Sequence, residues 1–283
     1  MKILVIGGAG FIGKEIVRAL TVRGNHVKSI SRTIDKPNDI FSAGDFFNEE
    51  IFQLINDFLP DCVIQAAWIT NLGTYRNSEL NQIYAQRTIE IAEYCKNIGV
   101  SNFVGLGSVA EYETTNSEYQ LSSYSISKQK TFQALLALSD TSNMNFLWAR
   151  IYQPYGRGQD RHRLIPYLVD TLKRNAEVQL QNLKIELDWI TSFDIGEAIA
   201  FAVENQISGP VDICTGIYTS NRELLELIVE ILEIEPKIHH IDPKDKSNLP
   251  IQFSHERASQ IGSFGWKPQF NLTSGLKWTM GLD

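Results

Sequence analysis

Ile3-Leu4-Val5-Ile6-Gly7-Gly8-Ala9-Gly10-Phe11-Ile12-Gly13 decides how this chain folds. Four apolar residues, three of them β-branched, read as a strand buried on both faces, and they run without a spacer into a glycine turn and a segment of helical period, Phe11–Arg23. Gly7 permits the tight turn, Gly10 lets the backbone approach a pyrophosphate, and Gly13 lets the helix pack closely on the sheet. The first N–H groups of the helix have no acceptor within it, so they favour an anion. Gly7, Gly10, Phe11, Ile12 and Gly13 are therefore candidate contacts of a dinucleotide. The spacing is one residue wider at its start than the commonest fingerprint, and the strand–turn–helix context carries the reading.

Outward from this turn, short apolar runs alternate with segments of helical period. Ile3–Ile6, Val27–Ser31, Cys62–Gln65, Phe103–Leu106 and Phe146–Arg150 read as strands. Phe11–Arg23, Phe46–Phe58, Glu79–Asn97 and Tyr124–Leu138 read as covering helices. A repeating β-α series of this kind predicts an α/β fold: a Rossmann-type doubly wound parallel sheet. After Arg150 the pattern loosens at Pro154, Gly156 and Gly158, with helices expected near Phe193–Asn205 and Arg222–Leu232. The expected division is a dinucleotide-binding domain over 1–155 and a smaller C-terminal α/β substrate-binding lobe over 156–283, some of whose segments return to the core.

The 283 residues are 43% apolar, enough for a substantial core, and carry a net charge of −7 with a pI near 5.3. That balance offers no basic face to nucleic acid or an anionic membrane. Cys62, Cys95 and Cys214 are odd in number and far apart, which argues against a disulfide framework or a zinc site and suits a reducing cytoplasm. No apolar run has the length of a membrane span, and no metal site is expected.

The second strand ends in Ser31-Arg32-Thr33, where a carboxylate usually grips the ribose 2′-hydroxyl of NAD. Arg32 instead offers a planar cation to a 2′-phosphate, favouring NADP, while Asp35 keeps NAD open. Further on, Tyr124-Ser125-Ile126-Ser127-Lys128 opens a helix, and the four-residue spacing puts phenol and ammonium on one face. A buried lysine and a cationic nicotinamide beside the tyrosine are expected to pull its phenol below its ordinary pKa of about 10. Phe103-Val104-Gly105-Leu106-Gly107-Ser108 ends a strand on a serine at the carboxyl edge of the sheet, where its hydroxyl can bond a substrate oxygen.

With these residues the chain resembles the extended short-chain dehydrogenase/reductase family, specifically its nucleotide-sugar epimerases, dehydratases and 4-keto reductases, over nearly its whole length. The resemblance implies that Ser108, Tyr124 and Lys128 are catalytic, Lys128 also holding the nicotinamide ribose. Gly44-Asp45-Phe46 is similar to the family's Gly-Asp, which implies that Asp45 and Phe46 lie at the adenine. Asp61-Cys62-Val63-Ile64-Gln65-Ala66-Ala67 looks like the strand along the cofactor, implying contacts from Ala66 and Ala67. Asn81 falls at a structural asparagine. Arg150-Ile151-Tyr152-Gln153-Pro154-Tyr155-Gly156 resembles the segment past the nicotinamide, with Gln153 in place of asparagine; it implies Ile151 as a cofactor contact and Tyr152 and Gln153 as substrate contacts. Asp188-Trp189-Ile190 through Asp194, and Phe264-Gly265-Trp266-Lys267-Pro268, are similar to two further signatures. Trp68, Thr70 and Trp189 are expected at the substrate cleft.

Leu187 stands where many relatives carry an arginine for the substrate diphosphate, leaving Arg157, Arg161 or Arg163 as candidates for that role. Dehydratases carry Asp-Glu directly after the serine, whereas Val109-Ala110 follow here and Glu111 falls one residue too late, so dehydration is disfavoured. The resemblance and Arg32 together imply an NADPH-dependent reductase of a nucleoside-diphosphate 4-keto-6-deoxy sugar. The alternatives are an NAD-dependent epimerase and a non-catalytic NADP-binding regulator. Relatives imply a possible homodimer through Glu79–Asn97 and Tyr124–Leu138.

Overall fold

The structure, a computed structural model, describes residues 1–32, 38–113, 115, 120–180, 182–234, 238–240 and 259–282. Asp35, the residue that keeps NAD open, lies outside them. The chain opens with β1 (Lys2–Ile6), α1 (Gly13–Val22), β2 (His26–Ser31), β3 (Phe41–Ala43), α2 (Glu50–Phe58), β4 (Cys62–Gln65), α3 (Leu80–Asn97), β5 (Asn102–Ser108), α4 (Ser123–Asp140) and β6 (Asn145–Ile151). There follow β7 (Gln153–Tyr155), α5 (Leu164–Lys173), β8 (Val178–Leu180), β9 (Glu186–Thr191), α6 (Ser192–Glu204), β10 (Gly209–Ile213), β11 (Tyr218–Ser220), α7 (Asn221–Leu232), β12 (Ile238–His240), β13 (Ser259–Gln260) and α8 (Leu272–Met280).

Eight strands form one parallel sheet in the order β13-β10-β6-β5-β4-β1-β2-β3. Parallel strands need helical crossovers, which cover both faces, so their residues are buried whichever way they point. All four residues of β4 are buried, as are six of the seven in β6. On one face Ile16 and Leu20 of α1 meet Ile195 and Ile199 of α6; on the other Ile51, Ile91 and Leu135 bring α2, α3 and α4 onto the strands. Each such side chain contributes roughly 1.5–3 kcal/mol by leaving water.

The chain proceeds outward from β1 through β2 to β3, then reverses to build β4, β5 and β6 on the other side. The reversal opens a crevice between the carboxyl ends of β1 and β4, where a parallel α/β sheet offers a ligand room. A second layer over that edge is built from β7, β9 and β11, the pair β8 and β12, and α5, α7 and α8, around Tyr155, Leu168, Leu224 and Leu276.

The five strands and six helices expected from the sequence are present, Cys62–Gln65 with the expected bounds and the others with shifted ends. Two shifts matter for the site. Helix α1 begins at Gly13, leaving Phe11 and Ile12 in the turn, and α2 begins at Glu50, leaving Phe46 in a loop. That loop is held by Arg87, whose buried guanidinium donates to the carbonyls of Phe46 and Asn48 at 2.8 Å each.

Candidate active site

The crevice widens into a cleft of about 2360 Å³ between the sheet edge and the second layer. At its floor Gly7 takes φ +85°, and a Cβ there would stand 2.7 Å from the Ala67 nitrogen, so the β1 turn and the β4 end can meet only through glycine. A Cβ on Gly13 would strike the Gly7 carbonyl, whereas one on Gly10 would meet only that carbonyl, at 3.1 Å. Among the described residues the N–H groups of Phe11, Ile12 and Gly13 have no acceptor, and they open a helix. This cradle fits the diphosphate of a pyridine dinucleotide: donors without acceptors, a favourable dipole, and space only glycine preserves. Ser31, Arg32, Gly44 and Phe46 line one arm of the cleft, Ala66, Ala67 and Ile151 its floor. Ser31 Oγ accepts from the Ala9 N–H at 2.9 Å and so braces the turn. Asp45 is not among the lining residues; its carboxylate accepts from the Phe47 N–H at 3.1 Å and shapes the loop.

The three side chains expected to be catalytic reach the cleft from two elements. Ser108 ends β5 and caps a 3-10 turn over Val109–Tyr112, with its Oγ accepting from the Ala110 N–H. Tyr124 and Lys128 lie one turn apart on α4, whose start is fixed by Ser122 Oγ accepting from the Ser125 N–H at 3.1 Å. The Ser108 hydroxyl lies near the Tyr124 phenol and favours its ionised form. Lys128 is 3% exposed; its Nζ donates to the Leu106 carbonyl at 2.6 Å and stands 3.5 Å from the centre of the Trp68 ring.

The electrostatics differ from the sequence expectation. Burial pushes the Tyr124 phenol well above its ordinary value, and the Ser108 hydroxyl and the charge of Arg76 offset this only in part. Lys128 is 5.8 Å from the Tyr124 ring centre and directs its proton to Leu106, so it does not supply the expected lowering. The ammonium itself is destabilised: burial lowers its pKa to about 7, with the carboxylate of Glu111 acting the other way.

Glu111 does not face the cleft. Its carboxylate accepts from the Ser108 N–H at 2.7 Å, from Trp148 Nε1 at 2.8 Å and from Arg150 Nε at 2.8 Å, and the residue is 7% exposed. Behind it Tyr112 and Tyr152 both donate to Asp212, at 2.8 and 3.0 Å. The indole of Trp148 lies across β5, where a Cβ on Gly105 or Gly107 would collide with it, and one on Gly107 would also meet Glu111 Oε1 at 2.5 Å. Only glycine at 105 and 107 leaves the Trp148 ring its volume.

Of the residues expected at the substrate, Trp68, Thr70, Tyr152, Gln153, Trp189 and Arg163 line the cleft. The Tyr152 hydroxyl is committed to Asp212. Arg163 donates to the Thr70 carbonyl at 2.8 Å, and the buried indole N–H of Trp189 has no acceptor among the described residues. Arg157 and Arg161 are not among the lining residues. Arg157 donates to the Trp278 carbonyl at 2.6 Å and stacks on that ring, while its own carbonyl accepts from Lys14, so it ties α1 to α8. Sequence reasoning missed Arg76 and Glu113, both in the cleft wall. Their bidentate pair, at 2.8 and 2.9 Å, is joined by Ser125 Oγ at 2.7 Å, and a 37-residue separation leaves no local signal. Lys184 and Arg222 line the outer end and were also missed.

A dinucleotide cradle at the switch point of a parallel sheet, with a serine, tyrosine and lysine beside it, defines a Rossmann-type NAD(P)-dependent enzyme. The model of the NAD dependent epimerase/dehydratase family matches residues 3–214, and the chain belongs to that family. It is 27% identical over 239 residues to a CDP-abequose synthase of Yersinia pseudotuberculosis, covering 81% of this chain and 82% of that one. It is 23% identical over 303 residues to a dTDP-6-deoxy-L-talose 4-dehydrogenase (NAD(P)(+)) of Kitasatospora kifunensis, covering 98% and 95%. The UDP-glucose 4-epimerase of Thermus thermophilus, solved with NAD, shares the fold at a TM-score of 0.80 and 22% identity, covering 100% of this chain and 98% of that one.

Proposed function

We propose that this protein reduces the keto group of a nucleoside-diphosphate 4-keto-6-deoxy sugar with NADPH. The observation that carries this reading is the fate of the carboxylates. Expelling water from a sugar needs a free acid/base pair beside the serine, yet Val109 and Ala110 fill those positions and Glu111 is committed to Ser108, Trp148 and Arg150. Glu113, which reaches the cleft wall, is held by Arg76 and Ser125. Ser108, Tyr124 and Lys128 remain, and they suffice for moving one hydride and one proton. Kinship with a deoxy-sugar nucleotide 4-dehydrogenase and a CDP-abequose synthase supports this choice.

The nicotinamide, when bound, supplies the hydride to the keto carbon. Ser108 donates to the carbonyl oxygen and fixes its position, and Tyr124 delivers its proton to that oxygen as the alcohol forms. Lys128 holds the nicotinamide ribose. Gly7, Gly10, Phe11, Ile12 and Gly13 bind the cofactor diphosphate, Ser31 and Arg32 the ribose phosphate, Phe46 the adenine from the loop that Asp45 shapes, and Ala66, Ala67 and Ile151 the nicotinamide side. Trp68, Thr70, Tyr152, Gln153 and Arg163 face the sugar nucleotide. In this reading residues 1–155 carry the cofactor and 156–283 most of the substrate lobe. A homodimer through α3 and α4 fits the exposed Leu80, Ile83 and Ile126 on those helices.

Purified protein mixed with NADPH and a nucleoside-diphosphate 4-keto-6-deoxyhexose should oxidise the cofactor and yield the 6-deoxyhexose. Silence with every keto sugar, alongside interconversion of an intact hexose nucleotide, would replace the reductase by the epimerase.

A further inference from the structure

Trp68 sits where β4 leaves the sheet, and three contacts fix it from different sides. Its indole Nε1 donates to Asn81 Oδ1 at 2.9 Å. Asn81 is fully buried, and its own amide donates to the carbonyls of Tyr75 and Ser78 at 2.6 and 2.9 Å, so it cannot swing away. The ring edge meets Tyr124 at 6.5 Å and 86° and tilts against Tyr84 at 5.9 Å. What this locked indole turns toward Lys128 is its π face, with Nζ 3.5 Å from the ring centre.

Lys128 needs such a partner. Among the described residues no carboxylate lies within ion-pairing distance of it, and Leu106 supplies the one hydrogen-bond acceptor its Nζ reaches. The groups around it are few: Glu111 from the turn after β5, itself shared with Arg150 of β6; Tyr124 on its own helix; and the Trp148 ring at 5.8 Å. Burial disfavours the ammonium here, whereas a desolvated cation over an indole face is held by the ring quadrupole.

We propose that Trp68 is a positioning residue for Lys128: its face, locked by Asn81, holds the buried ammonium charged and in place beside Tyr124. The inference takes Lys128 as the cofactor lysine of the preceding section, but the contact itself is testable without cofactor or substrate. Fluorinated tryptophans keep the shape of the indole while draining its face of negative potential, so folding is not at stake. With mono-, di- and trifluorotryptophan placed at position 68, the Lys128 side-chain resonance, assigned by its loss in Lys128→Arg, is titrated in the protein alone. The expected result is a midpoint that falls stepwise with fluorine count, by about one pH unit across the series. Trp68→Phe, which keeps a face and loses the Asn81 bond, should fall between wild type and Trp68→Leu. A midpoint indifferent to fluorination, or a Trp68→Leu protein whose Lys128 titrates as in wild type, overturns the proposal. In turnover assays the alkaline limb of kcat/KM should follow the same midpoints. If the resonance moves and no turnover is found with any keto sugar, the contact stands and the reductase reading goes.

Discussion

Tyr124 keeps its proton at neutral pH because burial holds the phenol above its ordinary value, and that suits a donor better than a base. An alkoxide forming on the substrate is far more basic than a phenolate, so a loaded phenol loses its proton at the moment it is needed. Tyr124→Phe should lower kcat by roughly 10²–10⁴ while cofactor affinity, read by fluorescence quenching, stays within a few-fold. Arg32→Ala should weaken NADPH about tenfold, or about 1.4 kcal/mol, and leave NADH unchanged; an equal loss for both cofactors removes the 2′-phosphate from its role. Lys128 carries a stability signature. Its pKa falls from 10.5 to about 7 on folding, so between those values the unfolded chain binds the extra proton and the folded state gains stability as pH rises. Lys128→Met should abolish turnover and flatten that pH dependence in urea titrations.

The β1 turn and the opening of α4 were legible in the sequence because their residues follow one another. Gly-x-x-Gly-x-x-Gly declares a turn wherever a strand precedes it, and Tyr-x-x-x-Lys declares a shared helical face. Gly7→Ala tests the first: a left-handed backbone and a Cβ 2.7 Å from the Ala67 nitrogen should cost roughly 1–3 kcal/mol, seen as a lower thermal midpoint, with cofactor binding lost. Strands β7, β8 and β11 have three residues each, too few to show a period, and α5 and α8 follow loops whose glycines and prolines break the pattern. Cleft groups such as Arg76 and Glu113 are joined by topology alone. The lysine's share of the expected fall in the Tyr124 pKa is missing for a related reason, since sequence puts Lys128 near the phenol without saying that Leu106 and Trp68 take its ammonium.

At the scale of the whole molecule, the arginines past β7 divide by destination. Arg163 turns into the cleft, and Arg157 turns to Trp278 and fastens the C-terminal helix to the first one. Arg157→Ala should lower stability by about 1–2 kcal/mol and leave KM for the sugar nucleotide unchanged; a raised KM at unaltered stability would return Arg157 to the substrate. The large sheet was foreseeable because buried parallel strands are written as β-branched runs. The destination of each loop arginine was not, since charge has no period.

The indole laid across β5 has a consequence for ancestry. Trp148 leaves positions 105 and 107 to glycine and depends on Glu111 for its N–H, so these four sites cannot drift singly. Serine placed at 107 alone would strike both the ring and the carboxylate, so it asks for a smaller side chain at 148 as well.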